Sequence, residues 1–166
     1  MIRLALASLT IALAACSGSP GGPMMNNKIG GNELPLPVKS SVVSEDILAR
    51  EPVANTVQVK HILIGWKDLG DAYQGHLDPR AAKRTKADAE EEVRGLVKQL
   101  QGGADFDALM KQSSEDVGSA ASARAFTVTP DAQLVIEFRQ LSYRLKLNEF
   151  GVVQSDFGFH IIKRIE

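Results

Sequence analysis

The stretch F-G-F-H-I-I-K-R, residues 157–164, decides how this chain folds. Its apolar and β-branched residues read as a buried strand near the end of the chain, yet His160 stands among Phe159, Ile161 and Ile162. A histidine in that setting is ordinarily a core residue whose ring nitrogens are hydrogen-bonded. A second one changes the question. In V-Q-V-K-H-I-L-I, residues 57–64, alternation puts Val57, Val59, His61 and Leu63 on one face of another strand. Two apolar strands at opposite ends of residues 57–166 therefore each carry a histidine.

The elements between them are readable from pattern. After the first strand, W-K-D-L-G-D-A-Y-Q-G-H-L-D-P is a loop by its Gly, Asp and Pro content. In the charged run that follows, Ala89, Val93, Leu96, Val97 and Leu100 recur at helical spacing, and Gly102-Gly103 stop the helix. Asp105 caps a shorter helix with Phe106, Leu109 and Met110 as its inner stripe. The polar, small S-S-E-D-V-G-S-A-A-S-A reads as loop and A-F-T-V, residues 125–128, as a brief strand. Pro130-Asp131 is expected to open a third helix with Leu134, Phe138, Leu141 and Leu145 on one face. Closing strands are expected around Gly151–Gln154 and Phe159–Ile165. The order is strand, helix, helix, strand, helix, strand, strand, which gives an α+β fold: a small four-stranded, mostly antiparallel sheet flanked by helices.

Upstream the composition changes. The first sixteen residues, M-I-R-L-A-L-A-S-L-T-I-A-L-A-A-C, have one early cation, an apolar run too short to span a bilayer, and small residues before Cys16. Cys16 is the single cysteine among 166 residues, so no disulfide forms within one chain. Residues 17–55 are rich in Gly and Pro without lasting periodicity, and read as a flexible tether with a reach of about 35 Å. A short helix over Ser44–Arg50 is the one element possible there, with no visible packing partner. A net charge of -1 and a 44% hydrophobic content describe one sizeable core. They give no basic surface for nucleic acid.

The segments V-K-H-I-L-I, S-E-D-V-G-S and F-G-F-H-I-I-K-R, with A-D-F-D-A-L-M, L-V-I-E-F and R-T-K-A-D-A, together resemble the parvulin family of peptidyl-prolyl cis-trans isomerases. The resemblance covers about residues 56–166 and implies the parvulin βααβαββ fold. It implies isomerase activity on X-Pro bonds of polypeptide clients, with no cofactor and no metal. His61 and His160 match the family's two strand histidines, which hydrogen-bond beneath the active site, and Asp116 matches a position held by cysteine or aspartate. These three are the implied catalytic residues. Phe126, Leu134, Phe138 and Tyr143 match apolar or aromatic positions lining or flanking the proline pocket, with plain core as the competing reading. The sequence L-A-A-C at 13–16 resembles a bacterial lipobox, which implies a signal peptide over 1–15 and lipidation of Cys16. The resulting organisation is a lipidated N-terminus and tether over 16–55 and the isomerase domain over 56–166. The expected protein is a monomer, lipid-anchored in the bacterial cell envelope, facing the periplasm and sorted to the outer membrane.

One departure and two rivals stand beside this reading. Where the family carries a Gly-Gly-Asp-Leu-Gly stretch, this chain has A-A-S-A-R-A-F over 120–126, shorter and without a leucine expected in the pocket wall. The alternative is thus a catalytically weak peptide-binding or chaperone lipoprotein on the same fold. A metal site of His61, His76, His160 and Asp116 is the other rival, disfavoured by the absence of short ligand spacing. His76 reads as a solvated or substrate-edge residue. Arg80, Lys83, Arg84 and Lys86 cluster before a helix start and read as a solvated face, so a preference for acidic residues before proline is not expected.

Overall fold

A computed structural model describes residues 40–166. The expected signal peptide, Cys16 and the tether as far as residue 39 lie outside the described residues. The elements are α1 (Glu45–Leu48), β1 (Val57–Ile64), α2 (Lys86–Gln101), α3 (Phe106–Ser113), α4 (Val117–Ser122), β2 (Phe126–Val128), α5 (Ile136–Arg144), β3 (Phe150–Ser155) and β4 (Gly158–Arg164). The four strands form one sheet in the order β2-β1-β4-β3, with every neighbouring pair antiparallel. This is the α+β architecture expected.

Strand alternation divides the core in two. From β1 and β4, Ile62, Ile64, Phe159 and Ile161 face α2 and α3, where they bury Val93, Leu96, Phe106 and Met110. Val57, Val59 and Ile162 face the other way, onto Phe138, Leu141 and Leu145 of α5 and its end. His61 and His160 lie in the register of this second face. Helix α2 begins where the sequence provides a capping box: Thr85 accepts from the Asp88 N–H while the Asp88 carboxylate accepts from Thr85. Helix α3 starts at Asp105, as its capping residue requires.

Three expectations change. Val117–Ser122 is a helix, not a loop: the Asp116 side chain caps α4, and the chain leaves it through Ala123 in the left-handed region at φ 49°. The third helix starts at Ile136, because residues 129–134 make tight turns and Val135 takes the N-cap. The tether does not run to residue 55. From Ser40 the chain packs on the domain: the Ser44 N–H donates to the Val152 carbonyl at 2.9 Å, and Ser44 Oγ accepts from the Val152 N–H. These bonds cover the outer edge of β3. Ile47 is buried in a gap opened by Gly151, whose missing side chain would meet Ile47 at 3.0 Å and Leu141 at 3.3 Å. Arg50 clamps this strap through a bidentate pair with Glu149 at 2.8 and 2.9 Å.

The β3–β4 hairpin turns on Gly158, at φ +129°. A Cβ there would lie 2.6 Å from the Ile64 carbonyl oxygen, which belongs to the neighbouring strand and cannot retreat. Gly158→Ala should cost about 3 kcal/mol or more, from backbone strain and overpacking together. Urea unfolding measures it, and a loss below about 1 kcal/mol would contradict the close approach.

Candidate active site

The antiparallel register pairs His61 with Ile162 and Leu63 with His160. The two histidines are diagonal neighbours on one face, a separation that ring side chains can bridge. Their Nδ1 atoms lie 3.3 Å apart and both residues are 5% exposed. His61 Nε2 stands 2.9 Å from Asp116 Oδ2, and His160 Nε2 stands 2.8 Å from Ser155 Oγ. Ser119 Oγ donates to the same Asp116 oxygen at 2.6 Å.

One set of tautomers satisfies every contact. The Phe157 N–H donates to Ser155 Oγ, the Ser155 hydroxyl to His160 Nε2, His160 Nδ1–H to His61 Nδ1, and His61 Nε2–H to the Asp116 carboxylate. The relay points in one direction and ends on an anion. The His61 hydrogen bond, then that of Ser119, holds the Asp116 carboxyl well below the ordinary carboxylate range despite partial burial. Burial, reinforced by His61, lowers His160 to about 3, so its ring is neutral near pH 7.

Above this relay lies a cavity of about 250 Å³, with His61, His160 and Asp116 on its polar side and Phe126, Leu134 and Phe138 among its apolar walls. The Phe138 ring stands edge-on to both imidazoles, with centroids 5.3 and 5.5 Å away, and Phe126 is edge-on to His61 at 5.2 Å. Six of the seven residues expected at the site thus converge on one cavity. Tyr143 does not: it packs among the residues beside the α5 core, and its hydroxyl is buried without a hydrogen-bond partner among the described residues. Leu134 sits on the turn before α5 and still reaches the cavity.

Sequence reading passed over five further residues. Leu63, on the His61 face, lines the cavity, as do Gln133, Val135 and Phe157, and Ser155 ends the relay. Only Leu63 carried a signal, its alternation with His61. His76 is exposed and outside the cavity. No group of three or more His, Cys, Asp or Glu side chains among the described residues is arranged to hold a metal ion.

The basic cluster is not one solvated face. Arg84 is 12% exposed in its side chain and pairs with Glu115 at 2.7 Å and Glu92 at 3.3 Å. Glu115 in turn accepts from the Gly65 N–H at 2.7 Å, and burial raises its pKa. Arg80 pairs with Asp78 and donates to the Ser114 carbonyl at the end of α3. These arginines fasten the loop after β1 to the segment that carries Asp116. Tyr73, from the same loop, donates to the Phe157 carbonyl at 2.6 Å and stacks edge-on against its ring. Burial, with Glu115, Asp116 and Asp78 nearby, pushes the Tyr73 phenol up to about 12.

A buried polar relay beneath an apolar cavity of about 250 Å³ suits binding of a small apolar group with a polar neighbour. Residues 46–166 match the family model of the PPIC-type PPIase domain, and the chain belongs to that family. It is 30% identical over 106 residues to the foldase protein PrsA of Geobacillus kaustophilus, covering 63% of this chain and 38% of that protein. It is 38% identical over 82 residues to the parvulin-like PPIase of Rickettsia bellii, covering 47% of this chain and 29% of that protein. The chain thus spans well under half the length of these relatives. The solution structure of TbPIN1 shares the fold, with a TM-score of 0.57 at 24% identity, covering 69% of this chain and all of that one.

The relay fixes a pH dependence. A neutral, buried His160 contributes stability that is complete above the unfolded histidine value of 6.5 and is lost as pH falls toward about 3. Asp116, whose folded value is depressed, adds a loss below about pH 4. Both act in one direction. Stability should fall by about 3 kcal/mol between pH 6.5 and pH 4 on account of His160. Urea midpoints across this range measure it. His160→Gln should be less stable at pH 7 but show a flatter slope, and an unchanged slope would remove His160 from the account.

Proposed function

We propose that the chain is a peptidyl-prolyl cis-trans isomerase acting on X-Pro bonds of unfolded or folding polypeptides. The observation that carries this reading is the meeting of His61, His160 and Asp116 at one side of an apolar cavity walled by Phe138. The X-Pro barrier of about 18–20 kcal/mol exists because amide resonance places negative charge on oxygen and positive charge on nitrogen. An apolar pocket around the proline ring disfavours that charge-separated planar form. A fixed carboxylate near the carbonyl oxygen disfavours it further, and the penalty disappears when the bond twists. Asp116 therefore acts through its field, and the relay from Ser155 through both histidines holds it in place. No bond to the protein forms and no cofactor is needed. Phe138 grips the ring so that rotation takes place in the remainder of the chain.

A protease-coupled X-Pro peptide assay tests this. Asp116→Asn, which keeps shape and loses charge, should lower kcat/KM about tenfold or more in a domain that still folds but is less stable to urea, because the hydrogen bonds that favour the carboxylate are weakened. Asp116→Cys should retain more activity than Asp116→Asn. Phe138→Leu should reduce kcat/KM about tenfold through a looser grip. No turnover above background by folded wild-type protein would end the enzyme reading. The shortened 117–125 segment and the apolar exposure of Val117, Ile136 and Phe157 favour a second reading, a peptide-binding chaperone with weak catalysis. Suppression of client aggregation without isomerisation would identify it.

We further propose that Cys16 is lipidated after removal of residues 1–15, leaving a monomer anchored in the bacterial envelope, facing the periplasm at the outer membrane. The Leu13-Ala14-Ala15-Cys16 sequence and the absence of any other cysteine support this. Expressed in a bacterium, the protein should fractionate with membranes, and Cys16→Ser should release it or leave it unprocessed. Wild-type protein whose mass shows an intact residue 1–15 segment or no acyl chains on Cys16 would overturn the anchor.

A further inference from the structure

A second cavity adjoins the one above the relay. It measures about 410 Å³ and lies between β2 and the 132–134 turn, and Phe126, Gln133 and Leu134 line both. The other contributors to the second cavity include Arg124 and Thr127, both exposed. Strand β2 stands at the end of the sheet, so one side of its backbone has no strand partner among the described residues. A polypeptide leaving the first cavity in this direction would meet a polar groove beside an open strand edge.

Arg124 differs from the other arginines. Among the described residues, Arg50, Arg80, Arg84 and Arg94 pair with carboxylates, and Arg139, Arg144 and Arg164 donate to backbone carbonyls. No such partner is found for Arg124. Its guanidinium instead lies over the Phe126 ring, 5.6 Å from the centroid. That stacking orders the side chain while leaving its planar donors free for a carboxylate, a use to which lysine is poorly suited.

We propose that this groove binds the extended client chain flanking the proline, and that Arg124 selects a Glu or Asp side chain there. The inference rests on reading the first cavity as the proline site. Adjacency to the first cavity through three shared wall residues, and the cation with no carboxylate partner among the described residues, give the groove its occupant. An acidic residue within about three positions of the proline should lower KM and leave kcat largely unchanged, because the contact forms equally with planar and twisted bonds. An exposed charge pair supports about a two- to fivefold effect, and replacing Glu by Lys adds a repulsion of similar size to the lost attraction.

The test compares peptides sharing one X-Pro core, extended on each side in turn by residues carrying either Glu or Lys. The quantity read is the Glu-to-Lys ratio of kcat/KM within a single protein, which cancels any general loss of activity or fold. Wild type should give a ratio of about 3–10 on one side of the proline, falling toward one in high salt. Arg124→Glu should invert it, and Arg124→Lys should give an intermediate value. A ratio of one in wild type, or a ratio unchanged in Arg124→Glu, overturns the proposal. If no peptide is isomerised, the proline reading has failed separately. Fluorescence anisotropy of labelled Glu and Lys peptides then decides the groove by the same ratio, taken in Kd.

Discussion

The register between β1 and β4 is the constraint on which the rest depends. It sets His61 opposite Ile162 and Leu63 opposite His160, so that the two histidines are diagonal neighbours on the α5 side of the sheet. A slip of one residue would send one imidazole into the α2–α3 core and leave the other without a partner. Both hydrophobic cores enforce the pairing. Ile62, Ile64, Phe159 and Ile161 must face α2 and α3, while Val59 and Ile162 must face α5. The site is therefore fixed by apolar burial on both faces, and the polar relay occupies the place that burial assigns to it.

A neutral His160 suits this position. At 5% exposure its ring meets His61 and Ser155 and no carboxylate that would balance a charge, whereas a neutral ring needs only one donor and one acceptor. The chain provides these in sequence, from the Phe157 N–H through Ser155 to the Asp116 carboxylate. The negative charge is concentrated at the partly exposed end, where Asp116 is 31% accessible and borders the cavity. The arrangement keeps the interior uncharged and presents the field where a bound carbonyl would lie.

The fold was largely legible because both periodicities are strong: alternation in β1 and β4, and the 3.6-residue stripe in α2. The missed helix α4 and the unforeseen packing of the anticipated α1 each have a physical cause. Helix α4, V-G-S-A-A-S, has no apolar stripe, and it is set by the Asp116 cap rather than by burial of one face. Ile47 of α1 packs on Leu141 and into the gap left by Gly151, contacts about a hundred positions away that no local pattern announces. At the site, the resemblance located the three polar residues and most of the wall. It misplaced Tyr143, because a position five residues beyond Phe138 on α5, about one and a half turns on, is close in sequence to the pocket yet turned away from it. Ser155 and Phe157 carried no signal, because their roles follow from the hairpin geometry at Gly158.

The shortened segment after Asp116 is where sequence reading and structure bear on each other most. Losing the glycines and a leucine suggested a damaged pocket. The chain closes the distance to β2 with a six-residue helix and a left-handed Ala123. Asp116 then serves two elements with one carboxylate: Oδ1 accepts from the Ser119 N–H to cap α4, and Oδ2 accepts from His61. Because the cap and the relay share this group, α4 cannot shift without moving the charge. The segment that departs most from the expected pattern is thus tied directly to the Asp116 carboxylate. Arg124 follows two residues after α4, just before β2, with its guanidinium over the Phe126 ring that walls the cavity. A short helix fixed by its cap thus leads a cation to the edge of the pocket.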